Sequence, residues 1–323
     1  MISKVRELSI NTVVSIVVPV YNETGLIKPF VNKISSVMKG VSCKYEIVFI
    51  NDGSTDDTYI ELENVYKSEK NIRVITFSRN FGKEAALSAG IDCSDADALI
   101  PIDVDMQDPP ELIVDFIKFW QDGYDIVYGV REDRGLDSAG KRITSRLFYT
   151  VFNKVSKTKI PYNVGDYRLI DRKVIDVIKI LPERNRFMKG LFSWVGFKSI
   201  GVPYKRPERI SGETKWNYWK LWNFSIDGIT SFSTIPLKVW MYIGGIISII
   251  SFCYALLLIA KVLMYGIDVP GYTSTLVAIL FLGGLQLLVL GIYGEYIGRI
   301  YEESKHRPIY VLDSILERDK ENN

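Results

Sequence analysis

Asp103, Asp105, Gln107 and Asp108 crowd one short stretch directly after the apolar run Ala98-Leu99-Ile100-Pro101-Ile102. Carboxylates and an amide at that spacing are hard oxygen donors. On a regular strand Asp103 and Asp105 would point to one face. There they repel unless a cation sits between them, and Mg²⁺ or Mn²⁺ bridging a nucleotide diphosphate would meet that need. The carboxyl edge of an open α/β sheet is where such ligands bind. The competing reading is a solvated acidic turn, with Pro109-Pro110 opening the next helix.

Three further groupings could take part. Asp166 stands two residues before Arg168, which suits either a catalytic carboxylate or a structural ion pair. A basic segment holds Arg131, Arg134, Lys141, Arg142 and Arg146, and the helical spacing of residues 143–155 gives it an apolar face. It reads as a surface helix or as a cationic patch that receives a lipid phosphate. The loop from Lys205 to Trp216, with Arg209, Gly212 and Lys215, suits closing over a diphosphate. Gly135 to Lys141 imitates a phosphate loop, but Arg142 stands where Ser or Thr should bind Mg²⁺ and no strand leads into it.

The elements that must position these residues alternate. Val13–Val20 is an uninterrupted β-branched run, as in a central parallel strand. Residues 26–39 have helical spacing. Tyr45–Ile50 is a second strand, ending in Asn51-Asp52-Gly53-Ser54-Thr55-Asp56-Asp57-Thr58, a turn that leads into helix N-cap residues. Ile72–Phe77 is a third strand, followed by a helix over 84–93 and the strand that feeds Asp103. Tyr124–Val130 and Ile200–Tyr204 are later strands, and 174–181 is a short helix. This alternation predicts a doubly wound parallel sheet. No G-x-G-x-x-G follows the first strand, which argues against a dinucleotide fold.

The chain has 323 residues and a net charge of +2 with the signs well mixed, so nothing points to nucleic acid. Its three cysteines show no metal or disulfide spacing. Val239–Ala260 and Tyr272–Gly294 carry no charge, and each exceeds the roughly 20 residues that cross a bilayer. Trp216, Trp219, Trp222, Tyr218 and Lys220 precede the first span and favour the headgroup region. Lys238, Arg299, Lys305 and Arg307 flank the spans, which predicts both termini in the cytoplasm. Gly244-Gly245, Gly283-Gly284, Gly291 and Gly294 allow close helix approach, within a subunit or between subunits. Arg307 to Leu316 reads as a further strand or surface segment docked back on the first domain.

Together, Val17-Val18-Pro19-Val20-Tyr21-Asn22-Glu23, the loop Asn51–Asp56, Ser78-Arg79-Asn80-Phe81-Gly82-Lys83, Asp103-Val104-Asp105-Met106-Gln107-Asp108-Pro109-Pro110-Glu111 and Arg209-Ile210-Ser211-Gly212-Glu213-Thr214-Lys215-Trp216 resemble the family 2 glycosyltransferases. The likeness is to the polyprenyl-phosphate branch, which includes dolichyl-phosphate mannose synthases and the bactoprenol (undecaprenyl-phosphate) glucosyltransferases of O-antigen modification. Val104 and Thr214 depart slightly from the usual pattern.

The resemblance implies a GT-A fold: a Rossmann-like, mostly parallel catalytic domain over residues 1–213. Interfacial helices over 214–235 would follow, then two transmembrane helices within 236–300 (about 237–264 and 272–298) and a docking tail over 301–323. It implies that Asp52 contacts the nucleotide base, with Pro19, Tyr21 and Glu23 lining the same pocket and Lys83 among the donor-binding residues. Asp103 would lie near the ribose or metal. Asp105 would bind Mg²⁺ or Mn²⁺ with Gln107. Arg131 would face the acceptor phosphate, Arg209 and Lys215 would clamp the phosphates, and Asp166 matches the carboxylate proposed as base. The implied reaction is inverting transfer of glucose from UDP-glucose to undecaprenyl phosphate in the bacterial inner membrane. The implied assembly is a homotetramer, linked to a flippase and a periplasmic glucosyltransferase. The alternatives are another donor (UDP-4-amino-arabinose, UDP-N-acetylglucosamine or GDP-mannose) or a membrane-anchored nucleotide-sugar sensor or flippase scaffold.

Overall fold

The computed structural model describes residues 6–132, 149–184, 186–205, 230–265 and 271–318. The strands are β1 (Val13–Val20), β2 (Lys44–Asn51), β3 (Ile72–Phe77), β4 (Ala98–Pro101), β5 (Ile126–Arg131), β6 (Val164–Asp171), β7 (Ser199–Tyr204) and β8 (Leu312–Leu316). The helices are α1 (Ile27–Met38), α2 (Thr58–Ser68), α3 (Lys83–Asp92), α4 (Leu112–Gln121), α5 (Arg172–Lys179), α6 (Met188–Trp194), α7 (Ile235–Tyr265) and α8 (Tyr272–Ser304). One sheet forms in the order β7-β5-β6-β4-β1-β2-β3-β8. β1 pairs in parallel with β2 and β4, β2 with β3, and β5 with β7, while β6 and β8 run antiparallel to their neighbours.

The unbroken apolar run of β1 follows from its place. Val14, Ile16, Val18 and Val20 face a core built with α1, α2 and α4, and Val17 faces a second core built with α3, α5 and α6. With both faces covered, the strand is apolar at nearly every position. Ser15 is buried as well and its hydroxyl finds no hydrogen-bond partner. On the second face the sheet and α3 approach very closely. A Cβ on Gly90 would stand 2.2 Å from Val17 Cγ1, so only glycine fits there.

Two elements differ from the sequence reading. β4 ends at Pro101, so Asp103 and Asp105 lie in the turn beyond it and strand alternation does not set their directions. β6 is a full strand where the sequence suggested only a carboxylate and an arginine. Its polar residues Gly165, Asp166 and Arg168 hide the β pattern, because the site and a cation–π contact, not an apolar core, receive them.

The two long helices α7 and α8 are long and apolar enough to cross a membrane. Their apolar side chains are exposed, as with Ile249 at 66% and Leu287 at 71%. Among the described residues, a Cβ on Gly244, Gly245, Gly283, Gly284, Gly291 or Gly294 would meet nothing within 4 Å. The helices are tied to the sheet domain at their roots. Tyr296 donates to the Ser233 carbonyl at 2.7 Å, the Arg184 amide donates to Glu303 at 2.9 Å, and Phe232 packs on Phe152 and Phe187. After α8 the chain returns to the sheet, where β8 covers the edge of β3. Tyr310 stacks on Phe77 with ring centroids 5.0 Å apart and donates to Asp92 at 3.2 Å.

That return predicts the effect of Tyr310→Ala. Losing the stack and the hydrogen bond should cost about 2 kcal/mol. It should also lower the melting temperature of the detergent-solubilised chain. An unchanged melting curve would mean that β8 docks without the stack.

Candidate functional site

The site is built where β1, β2 and β4 end. At β1 and β2 two loops are laced together. The Asn22 amide donates to Ser54 Oγ at 3.0 Å, and Asn22 Oδ1 accepts from the Thr55 amide at 2.8 Å. The Glu23 amide donates to Thr58 Oγ1 at 2.9 Å, and the Thr24 hydroxyl donates to Asp56 at 2.6 Å. Asn22 holds a φ of 54°, a conformation asparagine tolerates better than most residues. Gly53 has a φ of 65°, and a Cβ there would stand 2.4 Å from the Arg79 carbonyl carbon. Asp57, at the N-cap of α2, makes no side-chain cap bond, and Asp56 accepts from the Thr58 amide instead. Pro19, Tyr21 and Glu23 sit on this laced edge, where Tyr21 is exposed.

Asp52 is buried at the end of β2. Its Oδ1 accepts from the Phe81 amide at 2.6 Å and its Oδ2 from the Gly82 amide at 2.9 Å. It thereby fixes the loop that starts α3 and places its charge at the positive end of that helix. Burial raises this carboxyl above its ordinary value, while the two amides and Arg79 pull it part of the way back. Each carboxylate oxygen keeps a further lone pair for a ligand.

Lys83, the first residue of α3, reaches across the edge. Its ammonium lies 2.7 and 2.8 Å from the two carboxylate oxygens of Asp103 and 3.3 Å from Asp166 Oδ2. The cation that two acidic groups at this edge require is therefore supplied by the protein, between Asp103 and Asp166. Burial alone would lower the Lys83 pKa, but Asp103, Asp166 and Asp108 outweigh it and raise it well above the ordinary lysine value. Burial alone would raise Asp166. The charges of Lys189, Lys83 and Arg168 overcome that and hold it well below the carboxylate range. Arg168 makes no ion pair with the Asp166 carboxylate. It donates to the Asp166 and Gly165 carbonyls and lies over the Phe192 ring at 4.3 Å. Asp166 Oδ1 is buried without a hydrogen-bond partner.

The acidic stretch divides by role. Asp105 Oδ1 accepts from the Gln107 amide at 3.1 Å, closing a turn in which Met106 has a φ of 54°. Gln107 Oε1 is buried with no partner. Asp108 is buried and accepts from the Tyr204 hydroxyl, and Arg131 lies 3.7 Å away. Arg131 also donates to the Tyr204 hydroxyl at 3.1 Å, so this expected acceptor contact is committed to a network on the α4 side of the sheet. Among the described residues no three His, Cys, Asp or Glu side chains cluster as a metal cage. The donors that are present, two carboxylates and an unpartnered amide oxygen, fit the oxygen preference of a hard divalent ion. Arg209 and Lys215 lie outside the described residues.

Sequence reasoning missed Glu84 and Lys189. Glu84 follows Lys83 in α3 and accepts from the Met188 amide at 3.0 Å, which sets the start of α6 and so the position of Lys189. Burial and the charge of Asp166 push the Glu84 carboxyl up to about 7, against the Met188 amide, Lys189 and Lys83. The only sequence signal was a carboxylate at the start of a helix that is otherwise rich in alanine.

Comparison with known proteins gives two family matches. Residues 15–179 match the model of glycosyl transferase family 2, and residues 235–300 match the GtrB C-terminal hairpin. An uncharacterized glycosyltransferase of Synechocystis is 52% identical over 93% of this chain and 95% of its own length. A bactoprenol glucosyl transferase of Shigella phage SfV is 51% identical over 93% of this chain and 97% of that protein. A prophage bactoprenol glucosyl transferase homolog of Escherichia coli K12 is 49% identical over 94% of this chain and 99% of that protein.

The Glu84 environment predicts a pH dependence of stability. In the folded chain the carboxyl stays protonated up to about pH 7, against an ordinary value of 4.5. A raised folded pKa gives stability that is fully present below the unfolded value and lost as pH rises through the folded one. The wild-type chain should therefore lose stability between about pH 4.5 and 7. Glu84→Gln keeps an acceptor for Met188 without the charge, so this loss should largely vanish. Melting curves of both proteins across that window check it, and parallel curves would rule out the raised Glu84 pKa.

Proposed function

This chain belongs to glycosyl transferase family 2, and from that membership we propose that it transfers glucose from UDP-glucose to undecaprenyl phosphate at a membrane surface. The protein is a glycosyltransferase with a GT-A fold. The observation that carries the reading is the Asp103–Lys83–Asp166 clasp at the sheet edge, in a chain half identical to bactoprenol glucosyl transferases along nearly its full length. Two apolar helices rooted beside the sheet domain support a lipid-linked acceptor, whose phosphate cannot travel far from the bilayer.

The donor's base meets Asp52 and the laced loops carrying Pro19, Tyr21 and Glu23. Asp103, Asp105 and Gln107 would hold Mg²⁺ or Mn²⁺, which when bound neutralises charge on the departing diphosphate. Lys83 adds a fixed positive charge at the same place, and Arg209 and Lys215 are assigned to the phosphates on the basis of the sequence resemblance. A single displacement at the anomeric carbon inverts it, from α in the nucleotide sugar to β in the lipid product.

Asp166 fits an orienting role better than that of a strong base. A base works best with a pKa near the operating pH, and the cations hold Asp166 far below that. The acceptor needs little deprotonation, since a phosphate monoester with a second pKa of about 6 is mostly a dianion at pH 7. The unpartnered Asp166 Oδ1 is free to accept from the remaining monoanion or from a sugar hydroxyl.

Membranes carrying the chain, given labelled UDP-glucose, Mg²⁺ and undecaprenyl phosphate, should form a lipid-extractable labelled product. Label entering lipid only from GDP-mannose, UDP-N-acetylglucosamine or UDP-4-amino-arabinose would overturn the glucose assignment. No lipid product from any donor would overturn the reaction. Lys83→Met should lower turnover by roughly 10²-fold, as loss of a preorganised charge at the leaving group does. Turnover within a factor of about two of wild type would remove Lys83 from the chemistry.

A further inference from the structure

Two lysines act on Asp166, and each stands in the first turn of a helix. Lys83 opens α3 and lies 3.3 Å from Asp166 Oδ2. Lys189 is the second residue of α6, and its charge is the strongest of those that keep Asp166 ionised. Both helix starts are fastened by a carboxylate from elsewhere in the chain. Asp52, at the end of β2, accepts from the Phe81 and Gly82 amides ahead of α3. Glu84 accepts from the Met188 amide at the start of α6, at 3.0 Å. Phe187, the N-cap of α6, has no side-chain acceptor of its own, so this first-turn amide depends on a group from outside the helix.

Glu84 therefore stands between the two lysines. Lys83 precedes it in α3, and the residue it fastens precedes Lys189 in α6. The charged groups that face it are Asp166 and Arg168 from β6, Lys189 from α6 and Lys83 from α3 itself. The lysines that act on Glu84 are the same two that act on Asp166. Two carboxylates thus draw on one pair of ammonium groups, and Lys83 serves Asp103 as well. Burial and the charge of Asp166 push Glu84 up to about 7, while Asp166 stays ionised far below that. With Glu84 protonated, Lys83 and Lys189 answer to the clasp alone. With Glu84 ionised, a second carboxylate competes for them. The Met188 amide keeps an acceptor in both states, because a protonated carboxyl retains its carbonyl oxygen. On its other side α6 is pressed against Phe232, since a Cβ on Gly190 would stand 2.4 Å from that ring.

We propose that Glu84 is a positioning residue for the transfer reaction: it fastens α6 so that the charge of Lys189 acts on Asp166, and it competes with Asp166 for Lys83 and Lys189. This rests on the reading of the chain as a lipid-phosphate glycosyltransferase in which Asp166 orients the acceptor. Glu84 touches no substrate and acts on the reaction only through the lysines that hold Asp166. For a given state of the acceptor, transfer is fastest with Glu84 protonated and slows as pH rises through about 7. The acceptor phosphate works in the opposite sense, since its dianion fraction grows as pH rises past about 6. Comparing variants at each pH separates the two effects.

The test uses the full-length chain in detergent, with labelled UDP-glucose and undecaprenyl phosphate, below the melting temperature of every variant. The ratio of Glu84→Gln to wild type in kcat/KM for the lipid should rise from about one at pH 6 to roughly three at pH 8, the scale of a shared ion pair. Glu84→Ala, which removes the acceptor, should lose roughly tenfold in that constant at pH 6, with KM for UDP-glucose unchanged. Added to Lys189→Met, the same substitution should cost nothing further, because the two act as a unit. Amide hydrogen exchange over residues 187–194 supplies a readout without turnover: Glu84→Ala should speed it roughly tenfold and Glu84→Gln should not. A ratio that stays flat with pH, or an alanine loss as large beside Lys189→Met as without it, would overturn the proposal. So would unchanged exchange in α6, or a loss confined to the donor KM, which would place Glu84 with Lys83 on the donor. Faster exchange in Glu84→Ala, in a chain that transfers no sugar to any polyprenyl phosphate, would sink the reaction and leave the anchor of α6 standing.

Discussion

One ammonium group holds the site together. Lys83 faces carboxylates from two segments that arrive from opposite directions, Asp103 just past β4 and Asp166 near the start of antiparallel β6. Without a cation between them, two acidic side chains at a half-buried edge repel and shift their pKa values or move apart. The position of Lys83 is fixed in turn by α3, whose first turn is held by Asp52 through the Phe81 and Gly82 amides. Gly82, at a φ of 96°, turns the chain there. A disturbance in β2, α3, β4 or β6 therefore reaches the same three charges.

The charges around Asp166 fall into two fields. One side gathers acidic and amide oxygens from Asp103, Asp105 and Gln107. The other side gathers the cations Lys189 and Arg168, whose charges act on Asp166. Asp166 sits between these fields. Its charge is stabilised by the cations on both sides, so it remains ionised despite burial.

Much of the sheet was legible in the sequence because β1 to β3 are buried on both faces and must read as apolar runs. The two apolar helices were legible because a bilayer-length stretch without charge has few other uses. β6 was not, because its inward residues Asp166 and Arg168 serve the site and break the pattern. The Lys83 clasp was not legible as an ion pair either, since the two carboxylates it joins lie far apart in sequence and meet only through a strand order that no local signal carries. Glu84 was hidden for a simpler reason. A glutamate in the first turn of a helix is ordinary, and only the fold brings it close to Asp166 and out of water, which raises its pKa.

The acidic stretch itself is less uniform than its spelling. Asp103 is held by Lys83, Asp105 closes its own turn onto the Gln107 amide, and Asp108 points inward to Tyr204. Tyr167 reinforces this by donating to the Pro109 carbonyl at 2.9 Å. Asp108, buried with a tyrosine and an arginine, is therefore an anchor that ties the turn to β5 and β7. Such anchoring is what ligand-binding carboxylates require. A ligand held within a fraction of an ångström needs neighbours whose own positions are locked by packing and hydrogen bonds. Read this way, the clustering of acids does not mean that every member binds a ligand. A half-buried pair and a buried anchor share one short turn, and a short turn transmits the anchor's rigidity to the pair.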